Sequence, residues 1–137
     1  MRYTAKIVAG ASTFAIVLSG LLISLPSHAV GEMPSKKVCK SATDPVVQGG
    51  CIMTDRKKGN CMACHQFKGL EKTRLQAGNI APPLVAIKQR FPDKAKLRKQ
   101  IEDATAIVPN SPMPPFGKHK ILSKDEIDKV IEFLYTL

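Results

Sequence analysis

Five consecutive residues, Cys61-Met62-Ala63-Cys64-His65, constrain this chain more than the rest of it does. They spell C-x-x-C-H, the attachment signature of a c-type haem. Two thiols add across the two vinyl groups of the macrocycle and leave thioether bonds. The two-residue gap lets one helical turn set both sulfurs along one porphyrin edge. The adjacent histidine then points at the iron as its proximal ligand. A chain committed in this way folds around its cofactor, which carries the redox chemistry while the protein positions and tunes it.

A bare C-x-x-C has two rivals, a thioredoxin-like redox pair and half of a zinc site. Zinc needs two further ligands at short spacing. Cys39 and Cys51 have eleven residues between them and no histidine beside them, so they make no second knuckle. A thioredoxin-like pair follows a buried strand, whereas Asp55-Arg56-Lys57-Lys58-Gly59-Asn60 ahead of Cys61 is polar and turn-like.

The first 29 residues read as a secretory signal, removed on export. Arg2 and Lys6 supply the positive start, Ile7 to Leu25 is an apolar run without charge, and Ser27-His28-Ala29 resembles a cleavage site. An uncleaved anchor is the alternative, because the run is nearly long enough to span a bilayer. Either way the chain is expected in the periplasm, where c-type haem resides and spare cysteines pair. About a hundred residues remain, enough for one small domain. The 21 basic residues lose only Arg2 and Lys6 with the signal, and all 11 acidic ones stay, so the rest of the chain keeps most of the formal charge of +10. An exported chain does not meet nucleic acid. The excess reads either as a docking surface for acidic protein partners or as simple solubility.

Residues 30–43 are polar and patternless and are expected to form a loose extension, with the haem domain over 44–137. Asp44-Pro45 is a helix start, and the helix runs to about Asp55 with Val46, Val47, Ile52 and Met53 as its apolar contacts. Gly49 and Gly50 weaken that helix by roughly 1 kcal/mol each, which suggests close approach by another helix. Pro83 is expected to begin a short helix carrying Leu84, Ile87 and Phe91. Asp93 is expected to cap another, with Leu97, Ile101 and Ala104 on its inner face, before a proline-rich loop over 106–122. Ser123-Lys124-Asp125-Glu126 is a capping box, and Ile127, Val130, Ile131 and Leu134 then form one apolar stripe, extended by Phe133. No strand of convincing length is predicted, so the fold class is all-α.

A haem iron with His65 on one side needs a decision on the other. The candidates are His119, Met33, Met53, Met62 and Met113. Met62 sits between the haem cysteines, Met33 lies in the extension, and Met53 falls on the apolar side of the first helix. Met113 stands within Ser111-Pro112-Met113-Pro114-Pro115-Phe116-Gly117, where the prolines leave the thioether little conformational freedom to lose. Met113 is the expected second ligand, with His119, flanked by Lys118 and Lys120, as its competitor. A ligating histidine donates its other ring nitrogen to a fixed acceptor, and the Pro82 carbonyl is the expected one. Cys39 and Cys51 are expected to form a disulfide worth about 2–4 kcal/mol. The chain offers no nucleophile–base pair.

The order of attachment site, Pro-Leu loop, late methionine and closing helix resembles class I cytochromes c. Gly59-Asn60-Cys61-Met62-Ala63-Cys64-His65, Gly78-Asn79-Ile80-Ala81-Pro82-Pro83-Leu84, Arg90-Phe91-Pro92-Asp93, Met113-Pro114-Pro115-Phe116-Gly117-Lys118-His119 and Ile121-Leu122 resemble the SoxX family. These are the small monohaem subunits of the SoxAX cytochromes of sulfur-oxidising bacteria. The resemblance covers residues 49–137 and leaves out the segment with Cys39 and Cys51. It implies a class I fold of short helices around one covalent haem. Cys61, Cys64 and Pro82 would be the cofactor-binding residues, and His65 and Met113 the iron ligands. It implies a SoxA-type haem partner, a SoxYZ-type carrier whose cysteine receives thiosulfate, and a downstream cytochrome that takes the electrons. The catalytic haem would lie on the partner. The docking rim is expected around Lys68, Lys118 and Lys120.

Overall fold

The computed structural model describes residues 31–67, 70 and 76–137. The expected signal over 1–29 and Lys68 lie outside the described residues. Five α-helical segments are present: α1 Lys36–Cys39, α2 Pro45–Thr54, α3 Ile87–Arg90, α4 Lys94–Glu102 and α5 Lys124–Leu134. Among the described residues there are also the 3-10 turns Cys61–Ala63 and Ala104–Ala106. Among the described residues the only extended pairing is an isolated parallel bridge between Phe67 and Leu84. The described residues thus have the all-α architecture expected from the sequence.

The helix starts follow from side-chain chemistry. Asp44 Oδ1 accepts the Val46 and Val47 N–H groups at 2.7 and 3.2 Å, and Pro45 gives up no hydrogen bond at the first helical position. Asp93 Oδ1 accepts from Ala95 N–H at 2.8 Å to open α4. In α5 the box closes in both directions, Glu126 N–H to Ser123 Oγ at 3.2 Å and Ser123 N–H to Glu126 Oε2 at 2.9 Å.

Helices α2 and α5 form the frame. The α5 stripe of Ile127, Val130, Ile131, Phe133 and Leu134 is buried and packs with Ile52 and Met53 of α2 and Leu97 and Ile101 of α4 in one core. Gly49 makes the α2–α5 contact possible, since a side-chain carbon there would lie 2.0 Å from the Lys129 carbonyl oxygen. At Gly50 a side-chain carbon would lie 2.7 Å from Pro34 Cδ and 2.8 Å from Phe133 Cε2. The two glycines are therefore the floor on which a helix and the N-terminal segment rest.

Two expectations are corrected. Residues 31–43 are not a loose extension. Met33 is buried in the core, Ser35 caps the one-turn helix α1, and Cys39 is bridged to Cys51. Apolar anchoring and a covalent tie outweigh the polar composition of the segment. Nor does a helix begin at Pro83. Leu84 is extended and gives its N–H to the Gln66 carbonyl at 2.7 Å, and α3 starts only at Ile87, after Ala86 turns to φ 50°. Consecutive prolines hold the preceding backbone extended, which suits the bridge and not a helix.

The disulfide sets a test. Alkylation of the unreduced protein is expected to leave Cys39 and Cys51 unmodified by mass spectrometry, and reduction to expose both. Labelling without reduction would rule the bridge out. Replacing both by serine should lower stability by about 2–4 kcal/mol.

Candidate functional site

The Asp55–Asn60 turn delivers the attachment motif. Asp55 Oδ1 accepts from Lys57 N–H at 2.9 Å, the Asp55 carbonyl accepts from Asn60 N–H at 3.1 Å, and Gly59 N–H reaches the Ile52 carbonyl at 3.2 Å. Asn60 occupies the left-handed region at φ 45°, a conformation asparagine tolerates better than most residues. The chain then winds into the 3-10 turn, with Cys64 N–H and His65 N–H both bonded to the Cys61 carbonyl, at 3.2 and 2.9 Å. One turn thus separates Cys61 from Cys64, and His65 follows directly.

Among the described cysteines, Cys39 and Cys51 are bridged, whereas Cys61 and Cys64 are free and half-buried. The Cys61 thiol lies against Gly59 and packs on the core, and that burial pushes its pKa up to about 12. No group of three or more His, Cys, Asp and Glu side chains among the described residues is arranged to hold a metal ion.

His65 is oriented by the loop opposite. Its Nδ1 lies 2.7 Å from the Pro82 carbonyl oxygen. A carbonyl only accepts, so Nδ1 carries the proton and donates, and Nε2 keeps its lone pair for a metal. Two backbone bonds flank this contact: Ala81 N–H to the Cys64 carbonyl at 3.0 Å and Leu84 N–H to the Gln66 carbonyl at 2.7 Å. Pro82 and Pro83, between them, have no N–H to leave unsatisfied. Arg90 Nη1 donates to the Pro83 carbonyl at 2.9 Å and fixes the loop from its outer side. Gly78 completes the cradle: its N–H bonds the Met62 carbonyl at 2.8 Å, and a side-chain carbon there would lie 2.0 Å from the Ala63 carbonyl oxygen.

Met113 is held by a separate scaffold. Its N–H donates to Ser111 Oγ at 3.3 Å, and its side chain is half-buried against the core. Beyond it, Phe116 is buried, and Gly117 and Lys118 N–H both bond the Glu102 carbonyl at the end of α4, at 3.1 and 3.0 Å. Lys118 Nζ pairs with Asp103 Oδ2 at 2.8 Å. That bond, with one from the Thr105 hydroxyl, holds the Asp103 carboxyl down to about 2. His119, the competing candidate, is exposed and bonds only through its backbone N–H to the Pro115 carbonyl at 3.0 Å. Met53 is a core side chain, as expected, and Met62, between the two cysteines, is buried in the same core. One contact was not foreseen: Gln100 Nε2 on α4 lies 3.9 Å from Met113 Sδ. A glutamine on a mostly polar helix carries no sequence signal of such a role.

Two free thiols one turn apart, followed by an imidazole oriented by a backbone carbonyl, fit the attachment of a c-type haem. The family model for cytochrome c matches residues 52–137. The crystal structure of SoxXA from P. pantotrophus is similar at a TM-score of 0.57 and 30% identity, over 64% of this chain and 77% of that one. A curated relative, named as an uncharacterized lipoprotein of Aquifex aeolicus (strain VF5), is 33% identical over 79 residues, which are 58% of this chain. The match spans only 37% of that relative's own length.

Proposed function

This chain belongs to the cytochrome c family, and from that membership we propose that it is the electron-accepting monohaem subunit of a SoxAX-type thiosulfate-oxidising complex. Electron transfer and a covalent haem c go with the family. The observation that carries the finer reading is the likeness to SoxXA, at 30% identity and a TM-score of 0.57.

In this reading Cys61 and Cys64 would hold the haem, and His65 and Met113 would be the iron ligands. The haem, when bound, supplies one-electron uptake and release at its iron. The Pro82 carbonyl fixes the His65 ring and makes Nε2 a better donor. Met113 as ligand would leave no iron position for substrate, and its thioether would favour a high potential suited to accepting electrons. Thiosulfate is coupled to a cysteine of a SoxYZ-type carrier at the haem of a SoxA-type partner. Forming the new sulfur–sulfur bond from a thiol and thiosulfate releases one proton and two electrons, which this chain would take one at a time and hand to a downstream cytochrome. Export to the periplasm, with residues 1–29 removed, belongs to the same reading.

The test is reconstitution. The purified chain with a SoxYZ-type carrier and thiosulfate is expected to remain oxidised, as followed by the visible spectrum. Addition of a SoxA-type partner should reduce it. Lys120, exposed on the Met113 side of the fold, is placed to contribute to docking, whereas Lys118 is committed to Asp103. Charge reversal at Lys120 should slow association and flatten its salt dependence, because rim charges act mainly on the on-rate. Thiosulfate oxidation by this chain alone, or no binding of the partner at micromolar concentration, would refute the proposal. Reduction by unrelated donors only would mark a general periplasmic shuttle.

A further inference from the structure

We propose that the N-terminal strap over residues 31–43 and the Asp55–Asn60 turn together build a docking groove for the acidic face of the downstream one-electron acceptor. The inference rests on the electron-carrier reading above.

The groove runs between α1, the end of α2 and the turn that delivers the attachment motif. Among the described residues that line it, five are basic and three acidic. Two of the five are committed: Lys58 pairs with Glu126, and Lys129 with Asp125. The Lys36, Arg56 and Lys57 side chains are exposed and pair with no acid among the described residues. Three uncommitted cations on one concave surface make a field that draws in a negatively charged partner. The groove also leads toward the cofactor site. Ala63, exposed between the two attachment cysteines, lines it together with Asn60 and Met62. An occupant would rest against the turn that carries the porphyrin edge.

The strap makes this surface particular to the chain. It precedes residues 52–137, the part matched by the cytochrome c model. Helix α1 buries no residue, so packing does not hold Lys36 in place. The Cys39–Cys51 bridge does, helped by Gln48 Nε2, which donates to the Ala42 carbonyl at 2.8 Å.

A carrier within a complex needs a lasting contact with one partner and a brief one with the next. Lasting interfaces are the more apolar. Ile107, Val108 and Ile121 are exposed on the segments that flank Met113, the side already assigned to the SoxA-type partner. Brief contacts are served by charge, which speeds encounter more than it slows release. The basic groove suits the brief partner. Its concave form takes a protruding protein segment better than a broad bilayer.

The experiment follows reoxidation of the reduced, haem-loaded protein by stopped flow, with an acidic plant plastocyanin as the probe acceptor. One electron passes from haem iron to copper, and no bond forms or breaks. Lys36→Glu, Arg56→Glu and Lys57→Glu together should slow the second-order rate about tenfold or more at low salt and remove most of its salt dependence. In a binding titration of the oxidised protein, affinity for plastocyanin should fall as well. The control is Lys88→Glu, Lys96→Glu and Lys99→Glu together, an equal change of net charge on α3 and α4. It should slow the rate by about twofold at most, because distant exposed charges are screened. Cys39→Ser with Cys51→Ser frees α1 and should give part of the groove loss with the haem spectrum intact. Equal slowing by the two triple variants, or none by either, overturns the groove, and an unchanged rate in the serine protein removes the strap from it. Retained rates beside lost binding to phosphatidylglycerol vesicles would assign the surface to a membrane instead. The unmutated protein must first be reduced by thiosulfate, a SoxYZ-type carrier and a SoxA-type partner. Failure there refutes the electron-accepting reading, whereas reduction followed by reoxidation that ignores the groove charges refutes the groove alone.

Discussion

Replacing Met113 by alanine is expected to abolish the far-red thioether-to-iron absorption of the oxidised protein and to open the reduced protein to carbon monoxide. The potential should fall by on the order of 0.1 V or more, within the roughly 0.8 V range that axial ligands cover. The loop should survive the change. Its hold on α4 runs through Gly117, Lys118 and buried Phe116, and its approach is fixed by Pro112, Pro114 and Pro115, none of which depends on the Met113 side chain. The effect is therefore chemical and local, and far-ultraviolet circular dichroism should change little. His119→Ala is the control. Its ring is exposed and its only bond is through the backbone, so the spectrum should stay as it was. A Met113→Ala protein with the original band, beside a His119→Ala protein without it, would reverse the assignment.

Gly49→Ala should be the most damaging small substitution in the frame. Alanine improves helix propensity by roughly 1 kcal/mol over glycine, so an exposed site would gain from it. Here the added carbon would meet the Lys129 carbonyl oxygen at 2.0 Å, its carbon at 2.5 Å and Phe133 Cβ at 3.0 Å. Two of these atoms are backbone in the middle of α5, and they yield only if the helices part. Overpacking costs about 1–3 kcal/mol and more where backbone must shift, so a net loss near 3 kcal/mol is expected. In a domain of this size that lowers the melting temperature by roughly 10–20 °C. At Gly50 the nearest atoms are ring carbons of Pro34 and Phe133 at 2.7 and 2.8 Å, less close than the α5 carbonyl at Gly49, so Gly50→Ala should cost less. Thermal melts of the two variants side by side decide the matter. Equal losses, or a stable Gly49→Ala protein, would show that the α2–α5 contact is looser than the glycine geometry requires.

What was legible in the sequence was whatever a side chain signs. Asp44-Pro45, the Ser123–Glu126 box, the period of α5 and the C-x-x-C-H run are local chemistry, and each stands in the structure where the residues put it. The hydrogen bond from His65 to the Pro82 carbonyl was legible for a related reason. A ligand-like histidine needs an acceptor, and a proline pair supplies a rigid one. The missed features depend on partners distant in sequence. Met33 looked like part of a polar tail because its burial requires the rest of the core. The extended course of Leu84 depends on the Gln66 carbonyl, a backbone group that leaves no mark on composition. Gln100 reads as one more polar residue of α4 until the loop thirteen positions later folds back onto it.

The glycine at the start of the described chain has a consequence of another kind. A side-chain carbon at Gly31 would stand 3.0 Å from the Thr136 carbonyl oxygen, so the backbone entering the domain runs beside the backbone leaving it. The domain is a closed ring in space, although its seam, at Gly49 and Lys129, joins segments roughly eighty residues apart in the chain. Loop-closure entropy must be met before that seam rewards it, which taxes the speed of folding more than the final stability. A short Gly/Ser join across the two borders, with a new opening at the exposed Pro109-Asn110 turn, would make α5 and α2 near neighbours. The attachment turn and the methionine loop would each keep their residues, and only the order of assembly would change.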